Sequence, residues 1–120
     1  MKILIADDEK SYAELLADRL IQGGNVVECA HDGRSALELI KKNKYDIMIF
    51  DHNMPDLTGL ELVKYIKDNN ISGKTIMITG YSEIDVALMK AIGVDEYITK
   101  PVKIVDIDKI IKKYSKAGEV

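Results

Sequence analysis

Five short apolar runs alternate with five amphipathic stretches along this chain, and few architectures accept that alternation. Lys2–Ala6, Asn25–Ala30, Asp46–Asp51, Lys74–Thr79 and Asp95–Thr99 read as strands. Ser11–Gln22, Gly33–Lys42, Thr58–Asp68, Glu83–Ile92 and Ile104–Tyr114 carry apolar residues at helical spacing. Their stripes are Tyr12, Leu16 and Leu20; Ala36, Leu37 and Ile40; Leu62, Val63 and Ile66; and Ile107, Ile110, Ile111 and Tyr114. Ser11-x-x-Glu14 and Thr58-x-x-Glu61 have capping-box form, Asp32 offers an N-cap, and Gly23-Gly24 stops the first helix.

A strand that returns parallel to itself through a helix does so by a right-handed crossover. Five such units predict an α/β fold, a doubly wound (βα)5 three-layer sandwich with helices on both faces. Strands 1 and 3 are the most apolar and belong in the centre, whereas strand 2 is more polar and suits an edge. The parallel order 2-1-3-4-5, flavodoxin-like, satisfies both.

The chain has 120 residues, enough for one domain with a sizeable core. Its net charge of -3 gives no electrostatic reason to expect nucleic acid or an anionic membrane as a partner. One cysteine, Cys29, cannot form an internal disulfide, which fits a reducing cytosol, and its place on a strand predicts a core position. The first apolar run meets Asp7 too early for a secretory signal, and no apolar run approaches a membrane span.

Strands 1 and 3 each end abruptly in acid: Ala6 runs into Asp7-Asp8, and Phe50 into Asp51. In the predicted order these two strands are neighbours at the topological switch point, where ligands of open α/β sheets bind. Two unit charges about 4 Å apart repel by roughly 4 kcal/mol at an effective dielectric of 20. A hard cation relieves that repulsion, and Mg²⁺ suits one or two carboxylates completed by waters and phosphate oxygens. Taken singly, each acid could be a helix cap or a solvated loop residue; three at adjacent strand ends are not so easily dismissed. Thr79 and Lys100, at the ends of strands 4 and 5, add a hydroxyl and an ammonium suited to a phosphoryl group.

Four motifs now stand in order at strand ends: Ala6-Asp7-Asp8-Glu9, Phe50-Asp51-x-Asn53-Met54-Pro55-Asp56-x-x-Gly59, Thr79-Gly80-Tyr81-Ser82 and Tyr97-x-x-Lys100-Pro101. With them, residues 1–116 resemble the receiver domain of two-component response regulators, leaving 117–120 as a tail. The resemblance implies that Asp51 accepts a phosphoryl group from a phosphohistidine of a sensor histidine kinase or phosphotransfer protein. It implies a metal site of Asp7, Asp8, Asp51 and the Asn53 backbone carbonyl, holding Mg²⁺ with Mn²⁺ as an alternative. Lys100 would pair with Asp51 and then the phosphoryl group, Thr79 would donate its hydroxyl, and Tyr97 would swing inward. Asn53 and Tyr81 take positions that modulate decay of the phosphoryl group. Pro55 and Gly59 shape the loop after Asp51, and Lys100-Pro101 is expected to be cis. Helix 4, strand 5 and helix 5 form the surface for an output domain, downstream protein or phosphorylation-dependent homodimer. The implied protein is a cytoplasmic switch that assists its own phosphorylation and slow autodephosphorylation, not a turnover enzyme.

Other residues take plainer roles. His31 reads as a solvated loop residue. His52 replaces the family's usual aliphatic residue and is expected to face away from Asp51. Lysines 103, 109, 112, 113 and 116 give the last helix a solvated basic face, and no recognition helix for DNA follows. A haloacid-dehalogenase-type phosphatase would carry a second Asp where Asn53 stands. A phosphorylation-independent interaction module would be expected to have lost Asp51, Lys100 or one of the acid pair.

Overall fold

The computed structural model describes residues 1–80 and 86–118, the last three as backbone alone. The elements run β1 Lys2–Ala6, α1 Lys10–Gln22, β2 Val26–Ala30, α2 Gly33–Lys42 and β3 Ile47–Asp51, then α3 Gly59–Asp68, β4 Lys74–Thr79, α4 Val86–Ile92, β5 Glu96–Thr99 and α5 Ile104–Gly118. All strands are parallel, in the order β2-β1-β3-β4-β5. The fold is the flavodoxin-like sandwich expected from the alternation.

Strand side chains alternate between faces, so each central strand feeds two cores. Leu4, Met48, Phe50 and Met77 meet Ala36 and Ile40 of α2, Leu62, Val63 and Ile66 of α3, and Met89 of α4. Ile3, Ile5, Ile47, Ile49, Ile76 and Ile78 meet Leu16 and Leu20 of α1 and Ile107 and Ile111 of α5. Each isoleucine of that central set is at most 1% exposed. Removing one such side chain from water contributes roughly 1.5–3 kcal/mol. β3 lies between β1 and β4 and is buried along its whole length. The last residue of that buried strand is Asp51, so the site stands at the end of a strand packed on both faces.

Two of the expected helix starts hold. Asp32 accepts the Ser35 N–H at 2.7 Å, and Thr58 Oγ1 accepts the Glu61 N–H at 3.2 Å. The Ser11 cap does not hold. α1 begins at Lys10, with Glu9 at the N-cap position making no side-chain cap bond. The cause lies upstream: the Glu9 N–H donates to Asp7 Oδ1 at 2.9 Å, and the Glu9 carbonyl accepts the Ala13 N–H at 3.0 Å. Asp7 thus sets where the helix starts.

Two further expectations change. α5 runs to Gly118, past the expected helix end at Tyr114. Cys29 is half-buried, because β2 is an edge strand paired with β1 alone. The expected start of helix 4 at Glu83 lies outside the described residues. No helix among the described residues is long and apolar enough to cross a membrane.

Candidate functional site

β1 and β3 are adjacent with Ala6 opposite Phe50, so the residues that follow each strand emerge side by side. Carboxylate oxygens of Asp7, Asp8 and Asp51 all lie within 4.8 Å of one another. Asp7 and Asp51 are each only 2% exposed, whereas Asp8 is exposed. Oxygen donors at this spacing suit a hard divalent cation, and the exposed Asp8 leaves an approach from solvent.

Asp51 is gripped at both oxygens. Oδ1 accepts the Asn53 N–H at 3.1 Å, and Oδ2 accepts from Lys100 Nζ at 3.1 Å. Burial works to lower the Lys100 ammonium, but the hydrogen bond and charge of Asp51, with Asp7 and Glu9 beyond, outweigh it and raise it. Lys100 therefore stays cationic beside its partner. Among the described residues Asp7 has no comparable ammonium partner. Burial pushes its carboxyl up to about 6 against the opposing pull of the Glu9 N–H, and the charges of Asp51 and Asp8 add to the rise while Lys100 offsets part of it. A carboxylate that is buried, crowded by like charge and hydrogen-bonded once has a strong demand for a cation.

Thr79 ends β4 and is buried, with its carbonyl accepting the Lys100 N–H at 2.8 Å. Tyr97 lies in β5 opposite Met77, with 44% of its surface exposed. The Lys100-Pro101 peptide is cis, as expected. Asn53 and Pro55 are exposed on the loop after β3, and Tyr81 lies outside the described residues. Gly59 sits where a Cβ would meet Met77 Sδ at 2.6 Å and the Asp51 carbonyl at 3.2 Å. Glycine lets α3 start close to the strand bearing Asp51; a side chain there would displace the Met77 thioether and crowd the Asp51 carbonyl.

His52 is fixed by its backbone: its N–H donates to the Ile78 carbonyl, and its own carbonyl accepts from Met54 and Gly59. Its Nδ1 is buried and has no hydrogen-bonding partner among the described residues. His31 departs from expectation. It is half-buried, and its Nδ1 lies 3.2 Å from the Asp7 carbonyl. Its position one residue past β2, at the same edge as the acids, was the available signal. Tyr12, read from the sequence only as part of the first helix's apolar stripe, is half-buried and with Glu9, Lys100, Pro101 and Val102 lines a mostly apolar depression of about 450 Å³ beside the acids. Burial, then the charges of Asp7, Asp51 and Glu9, push the Tyr12 phenol up to about 12, so it remains protonated.

Comparison with known proteins agrees with this geometry. A family model described as the response regulator receiver domain matches residues 3–112. The receiver domain of the Francisella response regulator 1452 is 32% identical, with a TM-score of 0.89 over 98% of each chain. TrrA of Thermotoga maritima, a response regulator solved in complex with Mg²⁺-BeF, is also 32% identical. Its TM-score is 0.84, over 94% of this chain and 97% of that one. The transcriptional regulatory protein TctD of Salmonella typhimurium is 29% identical over 123 residues, all of this chain and 55% of TctD. The chain thus spans about half the length of the curated relatives it matches. With acids from two neighbouring strands gathered around a lysine-bound Asp51, and a family match over almost its whole length, the chain belongs to the response regulator receiver domains, which are phosphoacceptor switches.

Proposed function

We propose that Asp51 is the phosphoryl acceptor of a Mg²⁺-dependent switch. The observation that carries this reading is the cluster of Asp7, Asp8 and Asp51 within 4.8 Å, with Lys100 Nζ 3.1 Å from Asp51. An Asp51 oxygen attacks the phosphorus of a kinase phosphohistidine, the P–N bond breaks, and the imidazole leaves with its electron pair and takes up a proton. Lys100 then follows the charge from the carboxylate to the phosphoryl oxygens. Asp7, Asp8, Asp51 and the Asn53 carbonyl would hold the cation, which when bound neutralises charge on the transferring group. TrrA, solved in complex with Mg²⁺-BeF, supports a divalent cation at the corresponding site, with Mn²⁺ the alternative to Mg²⁺.

Thr79 donates its hydroxyl to the new phosphoryl group, and Tyr97 moves inward from its exposed position, biasing a two-state element. The output surface is α4, β5 and α5, where Leu88, Tyr97, Ile104 and Val105 are exposed apolar groups open to a downstream partner or a second copy. Asn53 and Tyr81 modulate decay of the phosphoryl group. Residues 1–116 make up the receiver unit, with 117–120 as its tail.

The test is incubation with Mg²⁺ and a small-molecule phosphodonor, followed by intact mass. One phosphoryl adduct per chain is expected, absent in Asp51→Asn. An adduct that persists in the variant would move the acceptor elsewhere.

A further inference from the structure

The two halves of the cation site come from different loops. Asp7 and Asp8 follow β1, while Asn53 belongs to the loop after β3. Neither loop is held by a long run of backbone bonds, yet a third segment touches both. That segment is the corner between β2 and α2, residues 30–33.

On one side the corner grips the acid pair. The Asp7 N–H donates to the Ala30 carbonyl at 3.0 Å, and His31 Nδ1 lies 3.2 Å from the Asp7 carbonyl. A carbonyl oxygen only accepts, so this contact requires the proton on Nδ1. On the other side the corner supports the loop after β3. There Leu57 N–H donates to the Pro55 carbonyl at 2.9 Å across Asp56, whose φ is +73°. A bond from residue i+2 back to i, over a left-handed centre, is γ-turn geometry, which an isolated chain rarely adopts. The same Pro55 carbonyl also accepts the Gly33 N–H, at 3.5 Å.

Gly33 is where the two segments press together. A Cβ there would lie 2.5 Å from Leu57 Cβ, 2.5 Å from the Leu57 carbonyl oxygen and 2.8 Å from Leu57 Cα. Two of those three atoms are backbone, so no change of rotamer relieves the clash. α2 cannot easily retreat, because Asp32 caps it at Ser35 and Ala36 and Ile40 are buried beneath it. The loop after β3 must therefore shift.

We propose that the β2–α2 corner, through His31 and Gly33, positions the two loops of the divalent-cation site relative to each other. His31 and Gly33 are positioning residues: neither touches the cation. The inference rests on reading Asp7, Asp8, Asp51 and Asn53 as that site. Groups that orient metal ligands typically change affinity by about 10- to 100-fold when removed.

The test titrates the ¹⁵N-labelled 120-residue chain with MgCl₂, without phosphodonor, and reads amide shifts. His31→Ala and Gly33→Ala should each weaken Mg²⁺ binding by about tenfold. His31→Asn, whose Nδ2 occupies the place of Nδ1, should recover most of the loss. Before any Mg²⁺ is added, Gly33→Ala should already move the amides of Asn53, Met54, Asp56 and Leu57. Ile40→Val, which trims the core under the same helix, should bind as the parent does. Parent-like affinity in both variants would overturn the inference, and so would equal weakening by Ile40→Val. A parent that binds no Mg²⁺ would instead overturn the reading of the site itself, and this inference with it.

Discussion

The two ends of the sheet treat their acids in opposite ways. Toward the amino ends of the strands, each carboxylate meets donors. Asp46 accepts the Lys2 N–H at 2.8 Å. Asp95 Oδ2 accepts both the N–H and the hydroxyl of Thr75, at 2.8 and 3.1 Å, with Lys67 Nζ at 3.9 Å. Glu28 Oε1 accepts the Tyr45 hydroxyl at 2.8 Å and lies 3.4 Å from Lys2 Nζ. At the carboxyl ends, three acids crowd within 4.8 Å and Lys100 supplies the one ammonium paired with them among the described residues. A satisfied acid holds the fold together, whereas a crowded one stores a demand for a ligand. The same residue type therefore serves stability at one end and binding at the other.

The largest effect should come from breaking the satisfied end. Asp95→Ala leaves the N–H and hydroxyl of Thr75, a residue with no exposed surface, without their acceptor. A loss of about 3 kcal/mol is expected in urea denaturation. A change within experimental error would dissolve the contrast.

The crowded end should answer with the opposite sign. Asp7→Asn keeps an oxygen for the Glu9 N–H but removes a buried charge. In chelator at neutral pH the variant should gain on the order of 2 kcal/mol, since each unit of pKa shift corresponds to about 1.4 kcal/mol. The same physics predicts a pH dependence. Folded Asp7 holds its proton up to about 6, well above its ordinary value of 3.8. Between those values the folded state binds more protons than the unfolded one, so stability falls as pH rises through the window. Urea midpoints of metal-free protein at several pH values from about 4 to about 7 would show this fall, flattened in Asp7→Asn.

The smallest effect sharpens the satisfied end. Tyr45→Phe removes a single hydrogen bond to Glu28, and about 1 kcal/mol should be lost. Glu28 retains Lys2 as a neighbour, which limits the cost.

The fold was legible in the sequence because its signals are local. Apolar runs such as Ile47–Phe50 and the stripe of Leu62, Val63 and Ile66 mark strand and helix by spacing alone. The acids were legible because strand ends and strand order together define one edge. What the sequence hid depends on distant or backbone partners. Thr75 and Asp95 are 20 residues apart, and His31 finds a main-chain carbonyl that leaves no mark on residue identity. The start of α1 was misread for the same reason. Ser11 has the form of a cap, but the Asp7 carboxylate had already fixed the turn at Glu9.

The most direct test compares urea midpoints of the parent and Asp7→Asn, each in chelator and in excess Mg²⁺. The account predicts that the variant is the more stable in chelator, and that Mg²⁺ raises the parent's midpoint far more than the variant's. A parent midpoint unmoved by Mg²⁺, or a variant less stable than the parent in chelator, would contradict it.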